Sequence, residues 1–462
     1  MPKIRQSTTQ INFKPAINIG RIYIPAGSGG GATIGGFVAQ IVGTNVPVVS
    51  QLVVIGTSAY MYGSASTTNG SSAYMIKLSG IDTSTPAVTA KSGSGSANNR
   101  QLLQKKNDGN LIAFINNTVT DHPTPTFAAS DLTPSGGAAG SVAWNANAFT
   151  DVLGMMQTGD SSMYIIGDDG TGSFIRTILG KTDSSGNSVN TYSYGVSGID
   201  KSFSYATYDS SNNPIIVQGS FTGTAAEVLK INASNLATIV WDSLLSVALL
   251  SATSFTLSDN TYIAGRQIDN SFTLIKLDTN GAVVWSYKIA GAASESTNNV
   301  SVYAETVSTV TSVYIAGKTG NGLLIAKYTD NGSTATQNWN NSFIPATGSL
   351  ITNNDFNGFG RPNVNVSGNN TAYVYILAAY QFTTKDPIII KIPTTGAVPS
   401  SGIVVSGVTF NYTANAVSTV SAGVTKITGA TTATTYTTAG GTKNLGSWST
   451  TTASVTPTTT TF

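Results

Sequence analysis

"NTYIAGRQIDNSFTLIKLDTNGAVVWSYKIAG", residues 260–291, holds three short apolar runs separated by polar turns. With the upstream run "LLSATSFTLSD" (249–259) it reads as four strands, at roughly 249–257, 260–266, 272–278 and 283–289. Each run is rich in β-branched and aromatic residues, and none carries the periodicity of a helix. "DTNG" (278–281) makes a tight turn between the last two runs, with Gly281 free to adopt a positive φ. A lone sheet of this kind exposes both faces, so it must pack against others.

The unit recurs. "SVYIAGKTGNGLLIAKYTDNGSTATQNWNNSF" (312–343) and "NPIIVQGSFTGTAAEVLKINASNLATIVWDSLL" (213–245) keep its order of features. Shorter copies are "SAYMYGSASTTNGSSAYMIKLSG" (58–80) and "SMYIIGDDGTGSFIRTIL" (162–179), with a looser one at 371–392 and a poor one at 110–132. Three markers keep step. A glycine closes the first run at Gly63, Gly167, Gly219, Gly265 and Gly317, with Asn116 and Ala378 near the empty slots. A basic residue marks the second run at Lys77, Arg176, Lys230, Lys276, Lys327 and Lys391. A tryptophan marks the third at Trp144, Trp241, Trp285 and Trp339, four of the five in the chain. The spacing is one or two multiples of about 50 residues, the period of a four-stranded propeller blade.

The expected fold is therefore an all-β propeller of four-stranded antiparallel blades. Seven blades fit the slots, and six or eight remain open because the end copies are degraded. The Trp is expected to fill the wedge between neighbouring blades. The basic residue is expected to lay its stem on the sheet and snorkel its head to solvent. The divisions expected are a basic arm and Gly-rich hinge over 1–49, the propeller over 50–407, and a Thr-rich β extension over 408–462. That extension packs on the propeller, gives it a strand, or pairs with another subunit; a flexible tail is the alternative.

"IKLDTNGAVVWSYKI" (275–289) resembles the repeat of pyrroloquinoline-quinone-type propellers, whose blades carry an Asp, a Thr-Gly-like turn and a docking Trp. The matching residues are Asp278, Thr279, Gly281 and Trp285, with Asn280 interrupting the Thr-Gly pair. The resemblance implies the fold and not the quinone enzymes' activity, since such repeats also build non-enzymatic propellers.

Little of the remaining sequence carries chemistry. The chain has no cysteine and one histidine, His122, so histidine-based triads and thiolate or histidine metal sites are excluded. The acids Glu227, Glu295 and Glu305 share no common setting, which argues against the paired carboxylates of a glycosidase. "GSGGG" (27–31) lacks the Lys-Ser/Thr of a phosphate-binding loop. "NDGN" (107–110), "DDGTG" (168–172) and "TDNG" (329–332) read as hairpin turns rather than calcium loops. No enzyme activity, cofactor or metal is expected.

Only 10% of the 462 residues are charged, and the net charge is +2. The first acid is Asp82, so the start of the chain is basic. Lys3, Arg5, Phe13, Lys14, Arg21 and Tyr23 are the candidate partner-docking residues, on an arm ahead of the hinge "AGSGGGATIGG" (26–36). The arm is short and poor in aromatics, against nucleic-acid binding. No apolar segment is long enough for a membrane helix, and the start lacks a secretory h-region. As a whole the chain is similar to tailed-phage tail and fibre proteins. That likeness implies a structural or adhesive virion component, assembled in the host cytoplasm, with other virion proteins, a host glycan or protein, and copies of itself as partners. A cell-surface or secreted bacterial propeller binding carbohydrate or protein is the alternative.

Overall fold

Strands Leu249–Leu257, Asn260–Gln267, Phe272–Leu277 and Val283–Ile289 pair in sequence order as one antiparallel sheet, within a residue of the expected limits. The computed structural model describes residues 37–42, 48–435 with intervening gaps, and 456–461; the longest gaps are 114–125, 133–150, 290–299 and 352–362. Among the described residues every regular element is a strand.

Seven antiparallel sheets follow one another along the chain, and we number them in that order. Sheet 1 holds Val48–Ile55, Ser58–Thr67, Gly70–Ser79 and Ala87–Ser94. Sheet 2 is a three-stranded remnant of Leu103–Lys105, Leu111–Ala113 and Thr126–Phe127. Sheet 3 begins with Asp151–Gln157 and ends its own four strands at Ser188–Gly195. Sheet 4 runs from Ser202–Tyr208 to Ile239–Leu245, sheet 5 is the unit above, and sheet 6 runs from Val300–Val307 to Ala335–Pro345. Sheet 7 contains Asn370–Gln381 and Lys385–Pro393. The first strands of sheets 3 to 6 touch in succession, so they lie nearest a common axis. The assembly is a β-propeller.

Lysines show how the sheets are ordered around that axis. Lys77 of sheet 1 donates to the carbonyls of Ala129 and Ser130, just after the last strand of sheet 2. Lys181 of sheet 3 donates to Ala233 O of sheet 4 at 3.1 Å, and Lys276 of sheet 5 to Gly332 O of sheet 6 at 3.0 Å. Lys327 of sheet 6 reaches Thr394 O, and Lys391 of sheet 7 reaches Ile81 O of sheet 1 at 2.8 Å. The last contact joins residues 310 apart in sequence and closes the circle.

These contacts correct two sequence expectations. The basic residue does not snorkel: its head crosses to carbonyls of the next sheet's turn, where a charged donor makes a stronger bond than a neutral one. The counterpart in sheet 3 is Lys181 rather than Arg176, because Lys181 pairs with Tyr164 as Lys276 pairs with Tyr262. Lys230 departs from the pattern and pairs with Asp209 of its own sheet at 2.5 Å.

The lysine is the middle of a cross-strand row. Tyr262, Lys276 and Trp285 lie directly opposite one another on successive strands, and so do Tyr314, Lys327 and Trp339. The fourth strand bulges beside the lysine in sheets 3, 4, 5 and 6. Each described tryptophan of the series donates its indole N–H across to the next sheet: Trp241 to Thr279 O, Trp285 to Asp330 Oδ1 and Trp339 to Thr394 O, at 3.0–3.2 Å. Trp144 lies outside the described residues.

Both chain ends enter the ring. Phe37–Val42 pairs with Lys385–Pro393 on one side and with Thr456–Thr461 on the other, making it an interior strand of sheet 7. The sheet-forming chain therefore starts upstream of residue 50.

Candidate functional site

After sheet 7 the chain turns back and travels round the ring against its own direction. Val408–Ala414 pairs with the outer strand of sheet 6, Val420–Ser421 with that of sheet 5, Lys426–Thr428 with that of sheet 4, and Thr432–Thr435 with that of sheet 3. One segment thus adds an outer strand to four sheets in turn. Thr456–Thr461 then touches the last strand of sheet 1 and the strand Ile403–Val405, where the strap began.

The Thr-rich composition suits this course. β-branched residues favour extended backbone, and hydroxyls tolerate an outer edge facing water. Anchors come at intervals. Phe410 stacks on Phe343 at 5.1 Å between ring centroids, and Val424 is buried in the cluster that Trp241 and Val283 border. Between anchors the strap is held by polar contacts: Ser246 N–H donates to Thr425 O at 2.9 Å, and Val424 N–H to Ser286 Oγ at 3.1 Å.

At sheet 4 the strap crosses a pair of acids. Glu227 and Asp242 sit on adjacent strands of one sheet face, with Glu227 only 1% exposed. Thr431 grips both: its hydroxyl donates to Glu227 Oε1 at 2.5 Å, and its backbone N–H donates to Asp242 Oδ2 at 2.9 Å. Gly429 lies directly over the Asp242 carboxylate, so a Cβ there would occupy the same space. Glu227 Oε2 and Asp242 Oδ1 are both buried without a hydrogen-bond partner.

Two ionised carboxylates at that separation repel, and neither can donate. Burial chiefly, with the neighbouring Asp242 charge adding to it, raises Glu227 to about 7 against the opposing pull of the Thr431 hydroxyl and of Lys201. Lys201, 1% exposed, is lowered by burial and held up by Glu227 and Asp242; its ammonium donates to Ala225 O. Glu227 thus keeps its proton to a higher pH than an exposed glutamate does.

The docking residues expected from sequence, Lys3, Arg5, Phe13, Lys14, Arg21 and Tyr23, lie outside the described residues, as do His122 and Glu295. Glu227 and Glu305 have separate settings: Glu305 accepts from the Tyr314 hydroxyl at 3.1 Å. What sequence reading missed is the partner of Glu227. Asp242 is 15 residues away, and only the cross-strand register puts the two on one face. The aspartates of the turn motifs serve structure, within their own turn or between sheets. Asp108 Oδ1 accepts from Asn110 N–H in its own turn, and Asp330 takes the Lys276 ammonium at 2.7 Å.

No protein-family model matches the chain, and no curated protein matches it. Among solved structures, the β-propeller domain of the Trilobed protease from Pyrococcus furiosus, described as having an open velcro topology, aligns with a TM-score of 0.42. It is 8% identical, over 76% of this chain and 97% of that one. The polysaccharide lyase Uly1 aligns at 0.47 with 7% identity, over 74% and 89%. A variant of the Aleuria aurantia lectin aligns at 0.42 with 10% identity, over 64% and 96%.

Proposed function

We propose that the protein is a non-enzymatic structural and adhesive component of a tailed-phage virion. In this reading the ring is a rigid interaction module anchored by the basic arm. The repeat's likeness to pyrroloquinoline-quinone-type blades belongs to this reading as a matter of shape, with no quinone chemistry attached.

The observation that carries it is the double fastening of the ring. Phe37–Val42 is bonded on both edges, so sheet 7 cannot part there without losing a full strand pairing. The strap then ties sheets 3 to 6 from outside. A chain without cysteine has no disulfide with which to resist mechanical or chemical stress, and these pairings take that role. In sequence the basic arm joins the ring through its closing strand, so a load on Lys3, Arg5, Lys14 or Arg21 is delivered to the sheet best held.

Mass spectrometry of purified virions tests the assignment. The protein is expected in the particles, and deletion of residues 1–36 is expected to abolish incorporation while the circular dichroism of the ring is retained. Absence of the full-length protein from particles overturns the virion reading, and incorporation of the deletion variant overturns the anchoring role.

A further inference from the structure

Most of the strap is held by strand pairing and apolar anchors that no change of pH alters. The crossing at sheet 4 is different in kind. There two acids from neighbouring strands meet under the strap, and a single strap residue, Thr431, bonds to both. We propose that Glu227 and Asp242 share one proton and act as a latch, gripping the strap at residues 429–431 while the proton is present and releasing it when the proton is lost.

The geometry requires a proton or its equivalent. Glu227 Oε2 and Asp242 Oδ1 are buried acceptors without a donor, on neighbouring strands of one sheet face and under one strap residue that bonds to both groups. A proton between them satisfies both atoms at once. Its loss leaves two like charges facing one another under residues 429–431 of the strap. The groups facing the pair are few. From the first strand's approach comes Lys201, whose ammonium is committed to Ala225 O. From the second strand comes Gln218, opposite Glu227, whose amide donates to Tyr194 O. From sheet 3 comes Tyr194 itself, whose hydroxyl is turned away to Leu236 O. Among the described residues Lys201 is therefore the one cation beside the pair, and it offsets a single negative charge, not two.

Release would be local. The crossing at sheet 6 rests on the Phe343–Phe410 stack and on Asn415 bonded to Ser342 Oγ at 2.8 Å, with no carboxyl group among those contacts. The latch thus governs one stretch of strap, and this holds whether or not the ring belongs to a virion.

Hydrogen exchange of the full-length protein, corrected for intrinsic rate, tests the latch. Protection of the segment 426–435 is expected to fall roughly tenfold between about pH 6 and pH 8, with 408–414 unchanged. In Glu227→Gln, whose amide donates to Asp242 at every pH, 426–435 is expected to stay protected across the range. Flat protection in the unaltered protein overturns the proposal, whatever the variant does. So does a pH dependence that persists in a folded Glu227→Gln protein. Recovery of protection at pH 8 on adding calcium chloride also overturns it, because the pair would then be a cation site.

Discussion

Asp330 ties two neighbouring sheets of the propeller together. It lies in the turn "TDNG" of sheet 6 and faces the row Tyr262–Lys276–Trp285 of sheet 5. Lys276 approaches one carboxylate oxygen at 2.7 Å, with side-chain exposures of only 7% and 5%. The Tyr262 hydroxyl donates to the same oxygen at 2.6 Å; the Trp285 indole reaches the other at 3.2 Å, and Gly332 N–H reaches it at 2.9 Å. Burial alone would raise this carboxyl, but the bonds from Lys276, Tyr262 and Gly332 outweigh it and hold it below its ordinary range. Asp330→Ala leaves an ammonium buried with one carbonyl, and two ring donors with none. Stranding one member of a buried pair costs about 3–5 kcal/mol. Asp330→Asn keeps the shape and part of the bonding, and is expected to cost about 2 kcal/mol. Combined with Lys276→Met it should cost less than the sum of the singles, by about 1–3 kcal/mol, since the two share one interaction. Urea titration of the unaltered protein, the three single variants and the double variant, followed by tryptophan fluorescence, measures this, with exchange in 272–289 and 322–339 locating the loss. The carboxyl is depressed in the folded state, so its contribution is fully present above the unfolded value near 4 and disappears as pH falls through the folded one. A cost below about 1 kcal/mol for Asp330→Ala, or additive double-mutant energies, refutes the reading of Asp330 as the joint between these sheets.

Gly281→Ala should destabilise by more than Gly332→Ala, though the two occupy matching turns at φ +72 and +90. A Cβ on Gly281 would lie 2.7 Å from the Trp241 ring, whereas on Gly332 it meets nothing within 4 Å. About 1 kcal/mol of backbone strain is expected for Gly332 and about 2–4 kcal/mol for Gly281 by thermal denaturation. Truncation after residue 402 should leave the sheets of the ring paired but uncover the outer edges of sheets 3 to 7 and the face of Phe343. Light scattering after size exclusion is expected to show self-association, and a stable monomer would contradict it.

The opening unit was legible because its information is local. Alternating β-branched and aromatic runs, a "DTNG" turn and a fixed period each depend on near neighbours, and the strands of sheet 5 fall within a residue of where those patterns put them. The lysine series was visible as a marker, but its task was not. A snorkelling head and one crossing to a carbonyl of the next sheet look alike in sequence, and Arg176 passed for Lys181 because register across strands is invisible to a count along them. Glu227 offered less still. Its meaning depends on Asp242 in the next strand and on Thr431, 204 residues away.

Taken by itself, the sequence determined that the chain makes short antiparallel strands in repeated units, that these units stack as a propeller, and that it has no cysteine to form a disulfide. The tertiary structure alone decided how the ring closes, where the Thr-rich end goes, and which acids meet. The physical reason is one of range. Strand and turn formation follow from side-chain shape and backbone φ within a few residues, whereas closure and strap docking join segments hundreds of residues apart. Such joins follow from which edges remain unpaired once every sheet has formed.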